Sequence, residues 1–417
     1  MGVELSILNL HLLVPPSPLT DSMFILWDET GNKIQDEYPP EERKNLLEVE
    51  EVSLDFDRGR VVASVEALGS GKVLDIQELG DNHYKVLDIR TSGGHSYIVR
   101  IASVRGVIDV AQLPEKLRRE CEMMNWVASA STITIPKLYC SVLEATRPYM
   151  VSSKCEGTNL ADSFGALSSE AKSRNISMYA EWAIQMFRTA SPQKIGSVDT
   201  FTGSGARNMR SKLPSIGPML VGDGTQRPNG PFGSIAEYFS WLVLRKLNIA
   251  RTNQTSYIKE CEQVLSQLET FLLQACKRFG PSFLRTVPCH EDLVAHNVFC
   301  DQTGSITGII DWEFHSVKPA LLAVSYPSWI TYSGFDSPQF CIKNPTFDRF
   351  WFASPAEAAD LRKHYDSIVR KKDLDYYRML KDDDAEVCRQ IEKWLRDDSL
   401  DPGFGYFQEW FKTVKDS

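Results

Sequence analysis

The chain predicts an α+β fold in two unequal lobes, a small antiparallel sheet with one helix followed by a larger, mostly helical part. Three observations predict it. Between residues 72 and 103, Lys72–Ile76, Lys85–Ile89 and Tyr97–Ile101 read as strands separated by the turn-rich Gly80-Asp-Asn and Ser92-Gly-Gly94. After Gly157 the apolar residues take helical spacing, as at Ile176, Tyr179, Ala180, Ala183, Met186 and Phe187. The stretch from 288 to 313 then returns to two short strands around a Gly-containing turn.

Taken in order, residues 1–49 read as an extension, with Pro15-Pro-Ser-Pro18 and a charged stretch from Glu37 to Glu51. An amphipathic helix is expected near Phe56 to Leu68, leading into the three strands. Pro114 to Ala128 reads as a helix, and Ile133 to Leu143 and Tyr149 to Ser152 as further strands. Residues 191–233 form a Gly/Pro/Ser-rich connection of a length that is usually functional. Ser234-Ile-Ala-Glu237 is a capping box opening a helix through Leu247: the serine can cap the N3 amide while the glutamate reaches back. A second helix carries Ile258, Cys261, Val264, Leu265, Leu268, Phe271 and Leu272 towards Gly280-Pro281. Past 350 the tail is helical again, acidic at Asp382-Asp-Asp-Ala-Glu386. Its aromatic residues Trp394, Tyr406, Phe407, Trp410 and Phe411 are expected to pack as core, since exposing so many would be costly. The division expected is 1–49, a first lobe 50–152 and a second lobe 153–417.

The 417 residues are 42% hydrophobic and 24% charged, the composition of an ordinary globular protein. A formal charge of −9 argues against nucleic acid or an anionic membrane as the main partner. The nine cysteines show no Cys-x-x-Cys spacing, so neither a zinc site nor a disulfide framework is suggested. Their scatter among apolar residues fits a reducing, cytoplasmic setting. No stretch approaches the ~20 apolar residues needed to span a bilayer. Met1-Gly2-Val-Glu-Leu-Ser6 formally fits an N-myristoylation pattern that two constraints satisfy often by chance.

The chemistry concentrates in His290-Glu-Asp292-Leu-Val-Ala-His-Asn297 and, fourteen residues after Asn297, Asp311 in Ile309-Ile-Asp311-Trp-Glu313. A carboxylate, a carboxamide and a second carboxylate stand at the separations of a kinase catalytic loop, His-x-Asp-x-x-x-x-Asn, and its following metal ligand. The loop match alone is weak. The apolar Val298-Phe-Cys, the turn Asp301-Gln-Thr-Gly304 and the strand Ser305–Ile310 make it specific, because a hairpin there carries Asn297 back towards Asp311. In such a site Asp292 accepts the proton of an acceptor hydroxyl, and Asn297 and Asp311 offer the hard oxygen ligands that Mg²⁺ prefers.

From His290 to Glu313, with Pro319 and Tyr326-Pro-Ser-Trp329 after it, the chain resembles the aminoglycoside phosphotransferase family of small-molecule kinases. The similarity is greatest to its fungal members, with choline kinases more distant. Residues 55 to 330 share the resemblance. It implies a protein-kinase-like fold in which Leu79-Gly80-Asp-Asn-His-Tyr covers the nucleotide and Arg100, in the third strand, grips its phosphates. Glu120, rather than Glu122, pairs with Arg100, and Val151 to Lys154, Ser153 among them, offer backbone to an adenine edge. His290 braces the catalytic loop.

Two departures matter. Arg100 stands where most kinases have lysine, with the same charge but a different geometry. Glu291 stands where aminoglycoside kinases have a small residue, which weakens any inference to aminoglycosides. Glu313 could meet a substrate or a nearby helix. The implied function is ATP- and Mg²⁺-dependent phosphoryl transfer to a hydroxyl of a small molecule. The alternative is a nucleotide-binding pseudokinase, or a kinase fold repurposed in fungal secondary metabolism. A protein kinase fits less well: Trp312-Glu313 follows Asp311 in place of Phe-Gly, and no Ala-Pro-Glu element follows.

Overall fold

The computed structural model describes residues 56–81, 84–103, 112–145, 147–201, 213–220, 229–252, 258–331, 352–397 and 403–415, with two short pairs nearer the start. Those pairs, β1 (Leu26–Trp27) and β2 (Lys33–Ile34), are antiparallel to each other. The rest of the expected extension, the Met1-Gly2 pattern and Cys341 lie outside the described residues.

The first lobe begins with α1 (Arg58–Glu66), whose N-cap Asp57 accepts from Arg60 N at 2.9 Å. A cap of this kind stabilises a helix by about 1 kcal/mol. Next come β3 (Val73–Asp81), β4 (Tyr84–Thr91) and β5 (Ser96–Ala102), then α2 (Leu113–Ala130), β6 (Leu138–Val142) and β7 (Tyr149–Ser153). They form one antiparallel sheet of order β3-β4-β5-β7-β6. Side chains alternate across a strand, so Tyr97, Val99 and Ile101 face one side of β5 and Arg100 the other. The first side packs on Val61 and Val65 of α1, in a small core of its own. α2 belongs to the larger core, through Leu113, Leu117, Cys121 and Met124.

The strand expected from Ile133 is shorter, starting at Leu138. Pro136 has no N–H for a ladder, and Thr134 O is instead taken by Ile309 N at 3.1 Å, tying this segment to the second lobe.

The second lobe continues with β8 (Thr158–Asn159), α3 (Leu160–Ser163) and α4 (Ser169–Arg188). Within the connection expected over 191–233, β9 (Ser197–Thr200) pairs with β10 (Ser215–Gly217). Strands of three or four residues are too short for periodicity to register. Residues 202–212 and 221–228 lie outside the described set.

Then come α5 (Ile235–Thr252), α6 (Ile258–Cys276) and α7 (Pro281–Leu284). The capping box forms with a shift. Ser234 Oγ accepts from Glu237 N at 3.2 Å, while Glu237 Oε2 accepts from Gly233 N at 2.8 Å. Four short strands follow: β11 (Thr286–His290), β12 (Val298–Cys300), β13 (Ile306–Ile309) and β14 (His315–Pro319). The chain closes with α8 (Ala320–Ala323), α9 (Pro355–Lys372), α10 (Leu374–Leu380), α11 (Asp383–Arg396) and α12 (Gly403–Lys415).

Of the aromatic tail, Trp394, Phe407, Trp410 and Phe411 are core, as expected, while the Tyr406 side chain lies outside the described set. Trp394 stacks on Phe407 at 4.0 Å between ring centroids, and Trp410 and Phe411 are buried beside them. Among the described residues no helix is long and apolar enough to cross a membrane. The eight described cysteines are all free.

Candidate active site

Two antiparallel strand pairs, the second a hairpin nested within the first, build the site. β11 pairs antiparallel with β14, placing His290 opposite His315. β12 pairs with β13, placing Val298 opposite Ile309, and Ile310 N donates to Asn297 O at 3.0 Å. The loop after β11 and the loop before β14 therefore emerge side by side, joined where Glu291 N donates to Phe314 O at 2.9 Å. Gly304, at φ 81°, makes the turn of the β12–β13 hairpin, a backbone state that glycine adopts without Cβ strain.

His290 braces both loops. Its buried ring donates from Nε2 to Ile310 O at 2.9 Å and accepts the Asp292 N–H at Nδ1, 3.2 Å away, which fixes the tautomer. Burial pushes its pKa down, favouring the neutral ring this role requires. Asn297 Nδ2 donates to Asp292 O at 2.8 Å and to Asp292 Oδ2 at 3.2 Å. Its amide nitrogen is thus committed to Asp292, leaving the carbonyl oxygen as its remaining acceptor.

Asp311 has φ 66°, the sole non-glycine residue at positive φ among those described. Aspartate tolerates this left-handed state better than most residues, and the turn swings its carboxylate towards Arg100.

Arg100 is the hub. One nitrogen, Nη1, donates to Glu120 Oε1, and the other, Nη2, to Asp311 Oδ1 at 2.5 Å. Its guanidinium lies 4.1 Å from the centre of the Tyr84 ring, and the Tyr84 hydroxyl donates to Glu120 Oε2 at 3.1 Å. Glu120 is fully buried, so this is no solvent-facing surface pair. Burial pushes the Glu120 carboxyl up to about 7, helped by Asp311 and Glu313 and opposed by Arg100. Burial likewise raises Asp311 against the pull of Arg100. Glu122 is elsewhere, accepting from Phe201 N at 3.0 Å.

Glu313 turns to a helix: its buried carboxylate is 2.7 Å from Lys116 Nζ of α2. Lys116 and Glu120 are four residues apart and so share a face of α2. The oxygen donors of Asp292 and Asp311, with the Asn297 side-chain carbonyl, are of the hard type that a divalent cation prefers. Among the described residues no group of three or more His, Cys, Asp or Glu could hold a metal by itself. The donors at hand suit a magnesium ion that takes few protein ligands and completes its shell from phosphate and water.

The remaining expected positions fall differently. Gly80 sits near the end of β3, beside a register shift after Glu78, and Asn82 and His83 lie outside the described residues. Val151 pairs on both sides within the sheet, opposite Val99 and Cys140. Ser153 N already donates to Lys137 O at 2.9 Å, and its hydroxyl accepts from Lys137 N. The expectation that Val151 and Ser153 present backbone to an adenine edge therefore conflicts with the sheet. The chain leaves β7 only at Lys154–Glu156.

Three residues escaped the sequence reading. Tyr84 lies diagonally across from Arg100, since Tyr84 pairs with Ala102 and Val86 with Arg100. The period of two, applied along the two paired strands, would have put Tyr84 and Arg100 on one face. Lys116 is one helical turn before Glu120. Glu291, noted only as a departure, is held by Ser316 Oγ, Lys318 Nζ and Arg396 Nη1, and nothing in its local sequence marks those partners.

The small antiparallel sheet with one helix and the larger helical second lobe make up the two-lobed α+β architecture of a protein-kinase-like fold. The chain belongs to the phosphotransferase enzyme family known as APH, whose model matches residues 76–324. Among curated proteins it is 28% identical over 394 residues to clavilactone A biosynthesis cluster protein Y of Ampulloclitocybe clavipes, covering 92% of this chain and 94% of that one. Among solved structures it is similar to the Plasmodium vivax ethanolamine kinase, at 15% identity and a TM-score of 0.47, covering 94% of this chain and 97% of that one. A gentamicin–APH(2")-IIa complex is similar at 12% identity and a TM-score of 0.46, with 87% and 96% covered.

Proposed function

We propose that this protein transfers the γ-phosphate of ATP to a hydroxyl of a small molecule, with Mg²⁺ as cofactor. One observation supports the reading: Asn297 is bonded to Asp292 and, through its main-chain carbonyl, to the residue before Asp311, whose carboxylate is held by Arg100 together with Glu120. Asp292 takes the proton of the acceptor hydroxyl as its oxygen forms a bond to the γ-phosphorus. The bond from that phosphorus to the bridging oxygen breaks, and ADP leaves with the electron pair. Asn297 orients the Asp292 carboxylate through its amide nitrogen and, with Asp311, would hold Mg²⁺. When bound, the ion neutralises phosphate charge and fixes the in-line geometry. Arg100 would align the phosphates, under a cover formed by the β3–β4 hairpin with Gly80. The base of an adenine would meet the chain just after β7, and the lobes would divide near residue 152.

The test is a thermal shift followed by turnover. Mg·ATP should raise the melting temperature, because a ligand that binds only the folded state stabilises it by mass action. A metabolite library scanned for ATP-dependent gain of one phosphate would then find the acceptor. No shift at millimolar nucleotide sinks the reading.

A second reading has two observations in its favour. Arg100 occupies an oxygen of Asp311, the very group a metal would use, and the curated relative is named for a biosynthesis cluster rather than for a kinase activity. A repurposed kinase fold of secondary metabolism would bind nucleotide without metal dependence. Equal ATP affinity with and without Mg²⁺ would favour it.

A further inference from the structure

We propose that Glu291 is a positioning residue, and that its buried charge cluster tethers the catalytic loop to the helix Asp383–Arg396, making that distant helix part of the catalytic apparatus. The inference rests on the phosphotransferase reading for its catalytic sense, though not for the tether itself. Glu291 is bonded directly to Asp292, yet its side chain runs the other way, into the second lobe. There its carboxylate accepts from Ser316 Oγ, from Lys318 Nζ at 2.9 Å and from Arg396 Nη1. Lys318 also lies 3.4 Å from Glu392, and Arg396 3.7 Å from the same carboxylate. Tyr238 of α5 closes the group, donating to Glu392 at 2.7 Å.

The geometry is built from regular elements. Ser316 and Lys318 are two apart on β14 and share a face of the strand. Glu392 and Arg396 are four apart on α11 and share a face of the helix. Glu291 is the one member that comes from the catalytic loop, 105 residues before Arg396. Two acids and two bases leave the group neutral, and its side chains are 4–5% exposed except Arg396 at 17%.

Burying four charges is a poor way to gain stability, since packed apolar residues of similar volume often do as well or better. What ion pairs of fixed geometry do supply is a defined position. With Lys318 and Arg396 close by, the Glu291 carboxyl is held down at about 2 despite its burial, so the tether stays charged at any working pH. Through one peptide unit it fixes the main chain of Asp292, whose carbonyl also receives Asn297 Nδ2.

The experiment compares full-length Glu291→Gln, Arg396→Gln, Arg396→Lys and the doubly substituted Glu291→Gln/Arg396→Gln, which is again charge-balanced. Two readouts are taken: amide hydrogen exchange over 290–297, and acceptor-independent hydrolysis of Mg·ATP. Each glutamine single variant should speed exchange in the loop, leave the first-lobe sheet unchanged and lower kcat by about tenfold, with KM for ATP within about twofold. The double variant should be no worse than either single, because contacting residues are not additive. Arg396→Lys, with charge kept and reach shortened, should fall between wild type and Arg396→Gln, and it carries the comparison should a glutamine variant not fold. Loop exchange equal to wild type in the Arg396 variants overturns the tether, as does lowered stability with unchanged kcat. Wild-type protein that neither binds nor hydrolyses nucleotide counts against the phosphotransferase reading instead, and the exchange data then decide the tether alone.

Discussion

Arg100 and Asp311 are 211 residues apart in sequence and 2.5 Å apart in the structure, and the same guanidinium also holds Glu120. A planar fork with several donors can serve two carboxylates at once, whereas an ammonium serves as a single point of charge. The pair therefore couples the helix of the first lobe to the segment that follows the β12–β13 hairpin of the second. Tyr84, with its ring 4.1 Å from the guanidinium and its hydroxyl on Glu120, packs against the same pair.

Removing that fork should be costly to the fold. Arg100→Met leaves Glu120 fully buried without its cation, which should destabilise by about 3 kcal/mol, moderated by the Tyr84 hydrogen bond. Arg100→Lys keeps the charge and should cost about 1 kcal/mol, while freeing the Asp311 oxygen. Urea unfolding measures both. Tighter apparent Mg²⁺ binding by the lysine variant is the second expectation, read by titrating the metal at fixed nucleotide.

Asp292→Asn should lower turnover by about a hundredfold or more, the usual contribution of a general base. The nucleotide-induced rise in melting temperature should persist, because Asp292 is not among the residues assigned to the nucleotide. Activity equal to wild type removes the base from Asp292.

Stability should fall as the pH drops from about 6.5 to 4. Burial pushes His315 down from 6.5 to about 4, so the folded protein keeps it neutral while the unfolded chain already binds a proton. Depression of a histidine therefore contributes stability above 6.5 that is lost on acidification through that window, by roughly 3 kcal/mol at most. His290, also pushed down by burial, acts in the same direction. His315→Asn retains a donor for Trp312 O, now met by Nδ1 at 2.7 Å, and should flatten the curve. Denaturant midpoints across that range are the measurement, and an unchanged slope in the variant rules His315 out as a cause.

Gly157 has φ 83°, and a Cβ there would collide with Cys300 O of β12. Gly157→Ala therefore combines a strained backbone with a clash against main chain that cannot turn aside. A loss of about 2 kcal/mol or more is expected by thermal or chemical unfolding. An alanine variant as stable as wild type would show that the backbone after β7 rearranges freely.

The sequence was most legible where the signal is periodic or local. The strands near 85–89 and 97–101, the helices at Ile176 and Ile258 and the burial of Trp394, Phe407, Trp410 and Phe411 all follow from spacing and hydrophobicity. The pairing of Arg100 with Glu120 was legible only through resemblance to a family. β9 and β10 were hidden, because their partners lie across a Gly/Pro/Ser-rich connection and on β14.

By itself the sequence determined the α+β order and the hairpin that brings Asn297 back to the residue before Asp311, because neighbours along the chain decide periodicity and turns. Tertiary structure alone decided where long side chains end. Arg100 forks to Asp311, Lys116 reaches Glu313, and Glu291 turns from the cleft to Lys318 and Arg396. Those endpoints depend on which charges burial leaves together in a medium that cannot screen them, and no local pattern records that.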